Sequence, residues 1–203
     1  MSKRVYISAD YDPSTGDCNV VETLMAWSAS NKYIVDFVDM AAVASGSVSK
    51  DPDCRICDLK LEFNKQINAS SAVLCIIGKN TAVRNAGSAC PRSTSPWSLN
   101  KCTPYKRNFE GAKYCRVHTP SLYHNLMDVN CINTYSYLRH EFEQAQKKGK
   151  QIIVIYNSLY KQPTWLPSYL KHFENHAFAF WMRNCCGNIV GNYAALKKAL
   201  GYE

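Results

Sequence analysis

Residues 133–156 read NTYSYLRHEFEQAQKKGKQIIVIY. Tyr135, Leu138, Phe142 and Ala145 recur at helical spacing and form one apolar stripe. Lys147, Lys148 and Lys150 follow, where cations complement the negative end of a helix dipole. Gly149 makes a turn, and Gln151–Tyr156 is an apolar, β-branched run. Helix, turn and buried strand make half of a βαβ unit, and this predicts a parallel sheet. At about 100° per residue, Glu141 lies just off the edge of the apolar stripe, with Tyr137 one turn earlier beside it. A carboxylate at the border of a buried face can meet a ligand while half shielded from water; the plainer reading is a solvated glutamate on a surface helix.

The same alternation runs upstream. Arg4–Ser8 (RVYIS) is a strand pattern, Asn19–Ser28 fits a helix, and Tyr33–Val38 (YIVDFV) is strand-like. A Ser-rich loop, MAAVASGSVSKDPDC, precedes a helix expected over Leu59–Ile67. Ser71–Ile77 (SAVLCII) is a continuous apolar run, as in a central parallel strand covered on both faces. Downstream, His176–Trp181 (HAFAFW) reads as one further strand and Asn192–Leu200 as a closing helix. The order predicts a doubly wound α/β domain over residues 1–203. Ligands of such sheets bind at the carboxyl ends of the strands, which collects Ser8, Asp10, Asp39, Gly78 and Asn80 on one rim. Loop capping and turn-making are the competing readings for these residues.

Between these parts lies an insert, residues 82–131, rich in Cys, Pro and Ser and without sustained periodicity. It carries Cys90, Cys102, Cys115 and His118, the last two as C-x-x-H. Thiolates and a neutral imidazole are zinc ligands, and a structural zinc would order such a segment. Free thiols in an irregular loop are the alternative. A second C-x-x-C, Cys54 and Cys57, is read as plain thiols or as half of another site with Cys185 and Cys186.

The chain has 203 residues, 46% of them hydrophobic and 20% charged, which suits one globular domain. A net charge of +8 favours an anionic partner. Ten cysteines without a secretory h-region argue against a disulfide framework and for a cytoplasmic protein. The longest apolar runs fall far short of the ~20 residues that span a bilayer, so no membrane association is expected. Walker A, GxGxxG, HExxH and GxSxG patterns are missing, which weighs against NTPase, dehydrogenase, zincin and serine-hydrolase chemistry.

Four stretches together resemble the bacterial TIR-like family, including the TIR-like proteins of Thoeris anti-phage systems. They are RVYISADYD (Arg4–Asp12), YIVDFVD (Tyr33–Asp39), SAVLCIIGKNT (Ser71–Thr81) and SYLRHEFEQAQKKGKQIIVIY (Ser136–Tyr156). The family's first strand often reads VFISY-x-x-D, and its last stretch S-x-W-V-x-W-E-I-x-x-A. Glu141 stands at the family glutamate, while Tyr137 and His140 stand where tryptophans are usual. The resemblance implies a flavodoxin-like TIR fold, interrupted here by the insert. It also implies cleavage of the nicotinamide–ribose bond of NAD, with Glu141 catalytic and a cyclic or modified ADP-ribose made as a second messenger in antiviral defence. Ser8, Asp10, Asp39, Asn80 and Tyr137 are the candidate substrate-binding residues. NAD as substrate, a homo-oligomer, a phage-derived trigger and a downstream effector of the diffusible product are the implied partners. Two rival readings remain: a non-catalytic interaction or sensor module with a zinc-ordered insert, and a transferase acting on free nucleosides or deoxynucleotides.

Overall fold

A computed structural model of the chain describes residues 3–11, 13–30, 35–40, 52–84 and 136–202; of residues 13, 52–58 and 61 it describes the backbone. Five parallel strands form the central sheet: β1 (Lys3–Ser8), β2 (Val35–Val38), β3 (Ala72–Ile77), β4 (Gln151–Tyr156) and β5 (Phe178–Ala179). Their order is β2-β1-β3-β4-β5, consistent with a flavodoxin-like fold. All six residues of β3 are buried, as its unbroken apolar run requires of a strand covered on both faces.

Helices α1 (Asp17–Ser28), α2 (Pro52–Ala69), α3 (Tyr137–Lys147) and α4 (Tyr193–Ala199) flank the sheet. The period-2 pleat divides the core in two. Val5, Ile7, Leu74, Ile76 and Ile155 point to one face, where Val20, Leu24 and Trp27 of α1 and Leu196 of α4 pack. Tyr6, Val73, Cys75, Ile77 and Val154 point to the other, under Phe63 and Ile67 of α2 and Phe142 and Ala145 of α3. Each fully buried Ile, Leu or Val side chain contributes about 1.5–3 kcal/mol against exposure to water, so the two layers hold the sheet from both sides. The chain moves outward from β1 to β2 and then crosses to β3 on the far side of β1. That reversal puts a topological switch point between the carboxyl ends of β1 and β3.

Helix α3 is fixed at both ends by local chemistry. The Ser136 hydroxyl caps it by accepting the Arg139 N–H at 3.1 Å. Gly149, at φ +60°, turns the chain toward β4. Polar pins tie α3 to α2: His140 Nε2 lies 2.9 Å from Asn64 Oδ1, and Gln144 Nε2 donates to Asn68 Oδ1 at 2.9 Å. The Lys150 ammonium caps the end of α2 by donating to the carbonyls of Asn68 and Ser70 at 2.8 and 2.6 Å.

Two local expectations are corrected. Helix α2 begins at Pro52, seven residues before the expected start, so the C-x-x-C backbone is helical and does not belong to a Ser-rich loop. Proline is preorganised for the first helical turn, which has no intrahelical N–H bond to lose. The run His176–Trp181 is not one strand. Only Phe178 and Ala179 join the sheet as β5, and Trp181 starts an antiparallel hairpin of β6 (Trp181–Arg183) and β7 (Ile189–Gly191). Phe180, fully buried, turns into the core between them. The insert's Cys90, Cys102, Cys115 and His118, and Tyr135, lie outside the described residues. No helix among the described residues is long and apolar enough to cross a membrane.

Candidate functional site

Glu141 does not sit at the edge of the buried face. It is 3% exposed and points at the sheet. Helix α3 packs over β3 and β4, and its Glu141 side chain reaches across to Tyr6 and Ser8, two residues of β1 that face the same side. The Tyr6 hydroxyl donates to Oε1 at 2.7 Å, and the Ser8 hydroxyl donates to Oε2. Burial raises the Glu141 carboxyl from the usual 4.5 to about 8. The Ser8 and Tyr6 hydroxyls work against that rise, the Asp10 carboxylate adds to it, and the Lys60 ammonium opposes it. Burial and the nearby Glu141 charge push the Cys75 thiol up to about 12 and the Tyr6 phenol well above its ordinary value. Neither Tyr6 nor Cys75 is therefore a ready nucleophile or base near neutral pH. Among the described residues whose value is shifted, Glu141 is the one brought near neutral pH.

Around this carboxylate the rim residues play unequal parts. Ser8 is a direct partner. Asp10 acts on Glu141 through charge, and Arg84 Nε lies 4.0 Å from its Oδ1. Asp39 follows β2 and accepts the Tyr11 hydroxyl at 2.7 Å, while that same hydroxyl oxygen accepts the Met40 N–H at 3.3 Å. Tyr11 thus ties the ends of β1 and β2 together. It stands at φ +53°, a backbone conformation that a bulky side chain adopts only where its surroundings hold it. Burial and Asp39 raise its phenol above the ordinary range. Asn80 shapes the turn after β3, its carbonyl accepting the Val83 N–H at 3.1 Å. Tyr137 packs edge-on against Phe63 with ring centroids 5.6 Å apart. His140 turns away to Asn64 and the Lys60 carbonyl on α2, so it forms no dyad with Glu141.

Tyr6 is the participant that sequence reasoning missed. A signal for it exists: a tyrosine two residues before Ser8 in a strand shares its face. An aromatic residue inside a strand pattern reads as core volume, and that reading hides its hydroxyl.

A second buried carboxylate lies on the opposite layer. Asp17, fully buried at the start of α1, accepts the Asn157 amide at 2.9 Å. That amide also donates to the Thr15 carbonyl at 2.7 Å, and Asn157 Oδ1 accepts the Trp181 indole N–H at 2.9 Å. Gly78, at the end of β3, leaves room for Asp17: a Cβ there would stand 2.5 Å from Oδ1. A cleft of about 460 Å³ lies elsewhere, along Gln151–Val154 with Phe173, His176 and Lys198. It arises because β5 pairs only with Ile155 and Tyr156 and leaves the first part of β4 uncovered. It shares no residue with the surroundings of Glu141.

Fold and site together define an α/β protein with an all-parallel five-stranded sheet and a buried, hydroxyl-held carboxylate beside its switch point. No protein-family model matches the chain, and no curated protein matches it. Among the described residues no group of three or more His, Cys, Asp or Glu is placed to hold a metal ion.

Proposed function

We infer that the protein is an NAD-cleaving enzyme of TIR-like type. Glu141 serves the departure of nicotinamide and an ADP-ribose derivative is the product, used as a second messenger in anti-phage defence. The observation that carries this reading is the carboxyl group of Glu141, buried beside the switch point and raised to about 8. Loss of nicotinamide leaves an oxocarbenium-like ribose. A fixed carboxylate in a water-poor site stabilises that charge more than one in bulk solvent does. The cationic nicotinamide of bound NAD favours the ionised carboxylate, so binding and ionisation reinforce each other. Ser8 and Tyr6 aim the carboxylate. Asp10, Asp39 and Asn80 stand on the rim where ribose hydroxyls and phosphates would lie, and the net charge of +8 suits a pyrophosphate. The family resemblance of the four stretches supports the substrate. A homo-oligomeric, cytoplasmic enzyme that answers a phage-derived trigger and signals to a downstream effector completes the reading.

The rival is a non-catalytic interaction module. It is favoured by the engagement of both Glu141 oxygens by the protein's own hydroxyls, which suits a structural pin. Chromatography of NAD incubated with the protein, with and without infected-cell lysate, separates the two. Release of nicotinamide by the wild type and its loss in Glu141→Gln support the enzyme. Equal release by both removes Glu141 from the chemistry, and no release under any condition favours the module.

A further inference from the structure

Cysteine is among the most buried residue types, yet Cys185 and Cys186 are both exposed at the tip of the β6–β7 hairpin. The turn that carries them is tightly braced. Asn184 Oδ1 accepts the N–H groups of Cys186 and Asn188 at 3.0 and 2.9 Å, and the Asn184 carbonyl accepts the Gly187 N–H at 2.9 Å. Gly187 supplies the φ of +82° that closes the turn. The two sulfurs stand 3.8 Å apart.

That spacing discriminates between chemistries. Adjacent Cα atoms across a trans peptide are about 3.8 Å apart, below the ~4.4–6.8 Å span of an unstrained disulfide. Oxidation to a vicinal disulfide is therefore disfavoured. Two thiolates of a tetrahedral zinc centre, with Zn–S near 2.3 Å, are separated by about 3.8 Å. The pair already has the edge length of such a tetrahedron. Two ligands are half of a closed structural site, and no further His, Cys, Asp or Glu among the described residues joins them.

The hairpin also carries an exposed apolar surface. Met182 and Val190 are 40% and 36% exposed and pair directly across the ladder, so they share one face. Arg183, donating to the Gly187 carbonyl at 2.9 Å, places a cation at the base of the turn. A centre of four thiolates and one zinc is net negative and is eased by such a neighbour. A two-fold axis through the metal would bring the same pair from a second copy. Such an interface is self-complementary, covers the Met182–Val190 face of both hairpins and supplies four thiolates.

We propose that Cys185 and Cys186 are a half-site for zinc or a similar thiophilic divalent cation, completed by the same pair of a second copy. The reading is independent of NAD cleavage, because neither Glu141 nor the strand rim takes part.

The test adds Co²⁺ as the probe to the full chain under reducing conditions, beside Cys185→Ser and Cys186→Ser. Both side chains are exposed, so the variants keep the circular dichroism and metal-free melting temperature of the parent. The expected result is a thiolate-to-cobalt absorption and a tetrahedral d–d band in the parent, in excess of any in the variants. Uptake above the variants should be about one ion per two chains. The mass by sedimentation should double with metal in the parent and not in either variant. Equal cobalt absorption in parent and variants overturns the site. Uptake lost in the variants, with the parent monomeric throughout, overturns the second copy as the source of the remaining ligands.

Discussion

Two carboxylates are buried near the carboxyl ends of the strands, one on each layer, and their surroundings differ in kind. Asp17 is held by an amide that is itself held. Asn157 binds Asp17, the Thr15 carbonyl and the Trp181 indole, so the cluster joins α1, the end of β4 and the hairpin. Glu141 is met by two hydroxyls from one strand, on the layer where α2 and α3 pack, and its proton is retained to about 8. An amide has one role at each atom and makes a fixed joint. Hydroxyls rotate, and can donate to a carboxylate or accept from a carboxylic acid. The first arrangement is built to stay as it is, whereas the second tolerates a change of protonation. This difference accords with a structural role for Asp17 and with the chemistry proposed for Glu141.

The largest effect that would break the comparison is on activity. Glu141→Gln is expected to lower nicotinamide release from NAD by about 10²–10³-fold, the usual cost of losing one preorganised electrostatic group. A fall of that size with an unchanged circular dichroism spectrum keeps the two carboxylates apart in role.

The next effect is on stability and has a definite sign. The Glu141 carboxyl titrates higher in the folded chain, at about 8, than in the unfolded chain, near 4.5. The folded state therefore binds more protons between those values, and its stability falls as pH rises through them. Relative to Glu141→Gln, the wild type should lose roughly 2–4 kcal/mol between pH 5 and pH 9 in urea titrations. A pH-independent difference would mean that burial does not hold the proton.

Gly78→Ala should disturb the other carboxylate. The added Cβ meets Asp17 Oδ1 at 2.5 Å, against atoms that Asn157 holds in place. Overpacking of this kind costs about 1–3 kcal/mol, readable as a lower urea midpoint. The pH dependence attributed to Glu141 should persist in this variant.

The smallest effect is the sharpest probe of the hydroxyl clamp. Tyr6→Phe removes one donor from Glu141 and leaves the ring in place. The carboxyl should then titrate still higher, because the lost hydrogen bond favoured the charged form. The rise of kcat/KM with pH should move to more alkaline values, with stability changed by only about 1 kcal/mol. An unmoved pH profile would show that Tyr6 does not aim Glu141.

Much of this architecture was legible from local pattern. The unbroken run of β3, the pleat of β1 and the amphipathic α3 each carry their period in neighbouring residues, and the alternation of types requires a parallel sheet. Two elements escaped for local reasons. The first turns of α2 are polar and rich in Asp and Cys, with no apolar stripe to read. Their helical state is set by Pro52 and by continuity with the later turns, where Phe63 and Ile67 anchor the helix in the core. In HAFAFW the chain leaves the sheet at Phe180, and period alone cannot tell a strand from a strand that ends halfway. For the site, Ser8, Asp10 and Asp39 followed from the rule that ligands gather at strand ends, since these residues close or come just after β-branched runs. Tyr6 did not, because its role depends on what lies above it.

The sequence by itself determined the alternation of strands and helices, the chemical types on the rim and the helical position of Glu141, since all of these follow from spacings of a few residues. Only the tertiary structure decided that Glu141 turns inward. Tyr6 and Ser8 are 135 and 133 positions away along the chain. No local period carries the angle at which α3 lies over β3 and β4, with Glu141 in reach of β1. That angle follows from how α2, α3 and the sheet fill one shared volume, and it converts a border glutamate into a buried acid that holds its proton.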